Sequence, residues 1–184
     1  MFLFWHGDTC RESAPRTAVL LPDLIGWEAD FDMRHWLMKS EPNEFSIDDL
    51  VRQKKAPWFG VRNYQARNFM VKDMRIGDPV FFYHSSCPEP GIAGIAEVCS
   101  AAYPDATQFD RKSEYFEPAA KKDAPRWFNV DVKLVRKTRL VSLALLREHP
   151  ELAGMRILAR GNRLSITPVE PGEWNFITGK LTLP

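Results

Sequence analysis

Past Met33 the apolar residues of this chain come in short runs, each closed by a turn signal, and none approaches the roughly 18 residues a membrane helix needs. His35–Lys39 (HWLMK), Val80–His84 and Ile92–Val98 read as strands, the last two joined across the Pro/Gly loop Cys87–Gly91 as a hairpin. Trp127–Val135 and Arg163–Thr167 (RLSIT) bring the set to about five strands, with Pro168 and Pro171-Gly172 expected to end the last one. The helix signals are brief. Ser46, followed three residues later by Asp49, caps Ser46–Lys54. Asn63 caps Asn63–Met74, where Ala66, Phe69, Met70 and Met74 share one face and Arg67 lies on the face of Asn63. Ser142–His149 stops at Pro150, and a final short helix surrounds Trp174–Ile177. Helices so few and so short cannot cover both faces of a parallel sheet, so the expected class is α+β with a curled or barrel-like sheet. Tyr103–Pro125, rich in Pro, Asp, Lys and Ser, is too long for a bare connection and is expected to be an ordered functional loop or a flexible excursion.

Composition narrows the function classes. With 184 residues, 45% hydrophobic and 27% charged, the chain can bury a core without staples, which excludes disordered and fibrous readings. Cys10, Cys87 and Cys99 are odd in number and form no CxxC pair, so neither a disulfide framework nor a zinc site is encoded. A reducing compartment is expected: the cytoplasm for a bacterial source, the nucleus for a eukaryotic one. The net charge of +1 conceals a division. Residues 1–32 hold two basic and six acidic side chains, which leaves 23 basic against 18 acidic over residues 33–184. Val51–Arg75 carries seven Lys/Arg and one acid, Asp73, and Arg126–Arg139 carries five with only Asp131. Basic density clustered in this way points to a polyanion partner.

Few residues offer catalytic chemistry. His84-Ser85-Ser86-Cys87 closes a strand with an acid–base group beside nucleophiles, yet triad members usually meet from distant positions. Beyond them the patterned region holds only His35, His149 and Cys99 of these types, so no metal is expected, and no GxxxxGK[ST] or GxGxxG supports a phosphate-cradling loop or a cofactor. Glu97, Asp105, Asp110 and Glu114 have no spacing that demands a shared site. The richest constellation is WFGVRNYQARN, Trp58–Asn68. It places stacking surface, guanidinium forks and amide groups at a helix entry, the parts needed to hold a flipped base beside a phosphate. The same residues also have a structural reading: Trp58 as core, Asn63 as a cap, Arg62 and Arg67 as a solvated face.

Six motifs stand in a fixed order: WLMKSEP (Trp36–Pro42), WFGVRNYQARN, GDPVFFYHS (Gly77–Ser85), GIAGIAEV (Gly91–Val98), AYPDATQFD (Ala102–Asp110) and RLSITPV (Arg163–Val169). Together they closely resemble the EVE domain family over about Met33–Lys180. The resemblance implies a PUA-like fold, a small β-barrel with flanking short helices, related to YTH and ASCH domains. It further implies a non-catalytic, monomeric reader of DNA or RNA carrying a modified base, such as methylcytosine or methyladenine, held in an aromatic pocket. On this resemblance Trp58 is the pocket aromatic and Asn63 the group on the base edge, with Ser40, Tyr83, His84, Ser85 and Ser165 lining the pocket. Arg62, Arg67 and Lys39 are expected on phosphates. Trp36 is as readily core as pocket, Trp174 is expected to pack, and Tyr103 and Phe109 either cover the pocket or pack the long loop. Two alternatives stay open: an ASCH-like amidohydrolase of modified nucleosides using His84, Lys39, Ser40 and Tyr83, and a protein-interaction module.

Residues 1–32 fall outside the resemblance and show neither helical nor strand periodicity. They read as a disordered extension to the domain of residues 33–184, as an autoinhibitory acidic tail over a basic groove, or as a misassigned start ahead of Met33. On the last reading, the intact mass of natively expressed protein is expected to match a start at Met33, and a mature terminus at Met1 overturns it.

Overall fold

The computed structural model describes residues 33–182, and the readings of residues 1–32 lie outside the described residues. The chain enters as strand β1 (His35–Ser40), forms helix α1 (Ile47–Gln53), returns as β2 (Lys55–Pro57), and turns into α2 (Tyr64–Asn68), which widens into a π-turn at Phe69–Asp73. A hairpin of β3 (Pro79–His84) and β4 (Gly91–Val98) follows. The long loop has β5 (Tyr103–Pro104) and β6 (Phe128–Asn129) paired at its ends, and β7 (Asp131–Ser142) leaves it. The chain then runs through α3 (Leu143–Arg147), β8 (Ile166–Val169) and α4 (Pro171–Phe176). Six strands make one mixed sheet in the order β2-β7-β4-β3-β1-β8, antiparallel except for the β1–β3 pair.

Two interior strands, β1 and β3, explain the apolar runs of the sequence. Trp36 and Met38 of β1 join Val80 and Phe82 of β3 on one face, while Leu37 joins Phe81 and Tyr83 on the other. Both faces are covered, so neither strand can alternate apolar with polar residues. Ile47 and Leu50 of α1 and Ala66 and Met70 around α2 close the first face, and Leu146, Leu152, Ile157 and Ile177 close the second. The expected caps are present. Ser46 Oγ accepts from the Asp49 N–H (3.2 Å) while the Asp49 carboxylate accepts from the Ser46 N–H (2.8 Å). Trp36 is core: its indole N–H donates to the buried Asp78 (2.8 Å), which also accepts from the Arg75 N–H (3.0 Å). Trp174 packs as expected, stacked on Phe81 with ring centroids 4.0 Å apart.

The structure departs from the sequence expectation in three places. The sheet is open rather than a closed barrel, since its outer strands β2 and β8 each pair on one side only. Pro168 lies inside β8, opposite Trp36, and does not end the strand; an edge strand tolerates a missing N–H on its outer side. Strand β7 continues past Val135 to Ser142, held to β4 through two register shifts. Its later residues include the exposed Arg136, Lys137 and Arg139 and only one buried apolar side chain, Val141, so no apolar pattern announces it.

Gly94 sets how closely α1 lies on this sheet. A Cβ there would meet Ile47 Cδ1 at 2.4 Å and the Arg136 carbonyl oxygen at 3.0 Å. Gly94→Ala is therefore expected to cost about 1–3 kcal/mol by overpacking. Ile47→Val, which removes the clashing Cδ1, should recover part of that loss in the double variant; urea unfolding of the four proteins checks it, and strictly additive losses would contradict the contact.

Candidate functional site

A cleft of about 610 Å³ opens where β1 and β3, the two parallel strands, end side by side. The main chain is stitched together at this point: the Ser85 N–H donates to the Ser40 carbonyl (2.9 Å), and the Lys39 N–H donates to the Ser165 carbonyl (2.8 Å). Lys39, Ser40, Ser85 and Ser165 thus form one side of the cleft. Ser40 is partly engaged, its hydroxyl donating to the Phe45 carbonyl (2.7 Å). Lys39 donates to the Asn162 carbonyl (3.3 Å), and burial pushes its ammonium pKa down.

The opposite side is the segment from Pro57 to Asn63. Trp58 belongs to the core, 7% exposed and edge-on to Phe82 with centroids 5.4 Å apart, yet it borders the cleft. Its backbone N–H donates to the Val130 carbonyl (2.8 Å). Asn63 caps α2, its Oδ1 accepting from the N–H groups of Gln65 (2.9 Å) and Ala66 (3.1 Å), and its exposed side chain borders the cleft. The structural and binding readings of both residues are therefore compatible. Gly60 is required twice over: its φ of +77° is in the left-handed region, and a Cβ would meet the Tyr115 ring at 2.9 Å.

Arg62 is held almost entirely by the protein itself. Its guanidinium donates to Asp105 (2.9 Å), to the Thr107 hydroxyl (3.0 Å) and to the Tyr115 carbonyl (2.6 Å), and it lies over the rings of Tyr115 and Trp127. Asp105, 1% exposed, also accepts from the Gly60 N–H (3.1 Å) and from the N–H and hydroxyl of Thr107 (2.9 and 2.6 Å). Burial pushes the Asp105 carboxyl up, but the bonds from Thr107, Arg62 and Gly60 together outweigh burial and hold it below its ordinary value. The long loop is ordered around Gln108, a fully buried amide that donates to the carbonyls of Asp105 and Trp127 and accepts from the N–H groups of Arg126 and Trp127. Tyr115 of this loop closes the cleft.

The structure separates the residues expected at the pocket. Trp58, Asn63, Ser40, Ser85, Ser165, Lys39 and Arg62 border the one cleft. Tyr83 does not: it is buried on the other face of the sheet, its phenol pushed up to about 12 chiefly by burial. His84 also lies away from the cleft lining, its Nε2 accepting from the Ile47 N–H at the start of α1 (3.0 Å), an arrangement that requires the neutral ring. Alternation along β3 puts Tyr83 on the face of Phe81, whereas His84 lies beside Phe82 on the other face and is taken up by the start of α1. Arg67 is spent on the side chain of Asn68 and the Arg126 carbonyl and rests over Tyr64. The set His84, Lys39, Ser40 and Tyr83 is thus not gathered in one place, and among the described residues no group of three metal-ligating side chains occurs. Sequence reasoning missed Asp105, Gln108, Tyr115 and Arg163. Only Asp105 left a local trace, a Thr two residues on that completes an Asx-turn.

Similarity to known proteins coincides with this geometry. A model of the EVE domain matches residues 34–180. Thymocyte nuclear protein 1 of Homo sapiens is 44% identical over 163 residues, which cover 78% of this chain and 72% of that protein. A crystal structure of a Pseudomonas syringae protein superposes with a TM-score of 0.76 at 46% identity, covering 79% of this chain and 97% of its own. The crystal structure of human THYN1 protein in complex with 5-methylcytosine-containing DNA gives 0.75 at 41% identity, covering 82% and 99%. No helix among the described residues is long and apolar enough to cross a membrane.

Removing Asp105 leaves the Arg62 cation without its partner. Asp105→Ala is expected to cost about 3–5 kcal/mol in urea unfolding at pH 7. The sign of the pH effect follows from the depressed carboxyl: the wild type holds this stability above the unfolded carboxylate range near pH 4 and loses it as the pH falls through the lower folded value. The gap between wild type and variant should therefore narrow from pH 5 towards pH 3; a constant gap would contradict an ionised Asp105.

Proposed function

The chain belongs to the EVE domain family, and from that footing we propose that it binds nucleic acid carrying a methylated base, takes that base into the cleft, and leaves it chemically unchanged. The observation that carries this reading is the cleft itself. Its volume lies in the range of small-molecule sites and leaves room for a purine or pyrimidine. It brings Trp58 and Tyr115 together with the hydroxyls of Ser40, Ser85 and Ser165, and has Lys39 and Arg163 at hand for a phosphate. The solved relative in complex with 5-methylcytosine-containing DNA makes methylated DNA the first ligand to try, with RNA as the second.

The energetics set the form of binding. Flipping a base out of its stack costs a few kcal/mol, and aromatic stacking contributes about 1–3 kcal/mol per base. Phosphate contacts must offset the remainder, so affinity should fall with salt. Among the cations bordering the cleft, Arg62 is committed to Asp105, whereas Arg163 is exposed. The phosphate role is therefore assigned to Lys39 and Arg163 rather than to Arg62 and Arg67.

The test is fluorescence-polarisation binding of the full chain to matched DNA and RNA oligonucleotides, with and without methylated cytosine or adenine, at two salt concentrations. Preference for a methylated strand is expected. Arg163→Ala should weaken modified and unmodified strands alike and reduce the salt slope by about one, with an unchanged melting temperature. Binding to no oligonucleotide at low salt would sink the proposal, and conversion of a modified nucleoside to a new product would favour the hydrolase instead.

A further inference from the structure

Of the large exposed apolar side chains among the described residues, Phe59 alone borders the cleft. Phe59 is 52% exposed as a residue, while its neighbour Trp58 is 7% exposed. A single exposed apolar side chain is ordinary on a protein surface, and what singles out Phe59 is its place at the cleft. The ring also sits on a firmly held segment. The Trp58 N–H is bonded to Val130, the Gly60 N–H to Asp105, and Arg62 beyond it to Asp105, Thr107 and Tyr115. Beside it stands Tyr115, edge-on with ring centroids 6.1 Å apart. Tyr64, exposed to the same extent, differs: it already packs against Trp127 and carries Arg67 on its ring.

A rigid, half-exposed ring at the mouth of a base-sized cleft matches a surface that the ligand itself creates. When a base leaves its stack, the face of the adjoining base is uncovered, and an apolar side chain placed there recovers part of the lost stacking. We infer that Phe59 stacks on the nucleotide adjoining the one held in the cleft, an inference that rests on the base-reading function proposed above. Trp58 and Phe59 are consecutive and both border the cleft, the first from the core and the second from the exposed surface. One short segment can therefore serve two neighbouring positions, one in the cleft and one on its lip. Because every base has a π-face but purines present the larger one, the contact gives a mild preference for a purine beside the modified base without any hydrogen-bond readout.

Wild type, Phe59→Ala, Phe59→Leu and Phe59→Trp would be compared on a 5-methylcytosine oligonucleotide, its unmodified twin, and versions with an abasic site immediately 5′ or 3′ of the modified base. Phe59→Ala and Phe59→Leu are expected to bind roughly 5- to 150-fold more weakly, the equivalent of about 1–3 kcal/mol of stacking. Their ratio of modified to unmodified affinity should stay at the wild-type value. The wild type and Phe59→Trp should lose a similar factor when one of the two adjoining bases is removed, while Phe59→Ala and Phe59→Leu should be indifferent to that removal. Melting temperatures of all four proteins should agree within a few degrees. Wild-type affinity in Phe59→Ala, with methyl preference intact in the wild type, overturns the stacking role alone. An abasic penalty equal in wild type and variants also overturns it and leaves Phe59 a structural residue, whereas failure of the wild type to bind any strand overturns the base-reading function as well.

Discussion

The cleft depends on the buried contact between Arg62 and Asp105. A buried ion pair is weak evidence of net stability, because desolvation of the two charges opposes their attraction. What this pair supplies is register. Asp105 accepts four hydrogen bonds and Arg62 donates to the carboxylate, to a hydroxyl and to main-chain carbonyls, so each charge is satisfied in only one relative placement of the two segments. A lysine could not do this, having no planar fork to lie against Tyr115 and Trp127 while reaching four acceptors. The wall from Trp58 to Asn63 and the long loop that carries Tyr115 are thus fixed against each other, and the Gly60 contact under the Tyr115 ring is made possible.

The other wall derives its rigidity from a different source. The β1–β3 pair is buried on both faces, and its parallel direction brings the two strand ends, Ser40 and His84, to one edge of the sheet. Small hydroxyl residues stand there and line the opening, while the main chain continues its hydrogen bonding at the strand ends, through Ser40, Ser85 and Ser165. A polar, shallow wall held by the sheet faces an aromatic wall held by an ion pair.

Much of this was legible in the sequence, and the failures have physical causes. Strands β1, β3 and β4 and the caps at Ser46 and Asn63 are local, and local rules found them. Openness of the sheet is a property of strand order, which no short pattern encodes. The partner of Arg62 lies 43 residues away, so its fate was invisible; a cation in a basic stretch reads as a solvated or ligand-binding group, and only folding reveals it as a strut. Tyr83 and His84 were placed at the pocket because their neighbours belong there, yet strand alternation sends Tyr83 to the opposite face and pairs His84 with the start of α1. Ser85, immediately after the strand, escapes that alternation and does border the cleft.

Rigidity bears directly on how a methyl group can be read. Burying one methyl contributes on the order of 0.8 kcal/mol, which alone gives about a fourfold preference. A compliant pocket would close around the unmodified base and erode even that difference. A pocket whose walls are held by the sheet on one side and by Arg62–Asp105 on the other would keep its shape, leaving a void where the methyl is missing and losing the contacts of the groups that line it. Discrimination then grows with the stiffness of the walls as well as with the number of groups touching the methyl. On the proposed function, the Arg62–Asp105 pair, whose groups are spent within the protein even though Arg62 borders the cleft, would tune selectivity by limiting how far the segment from Trp58 to Asn63 can yield.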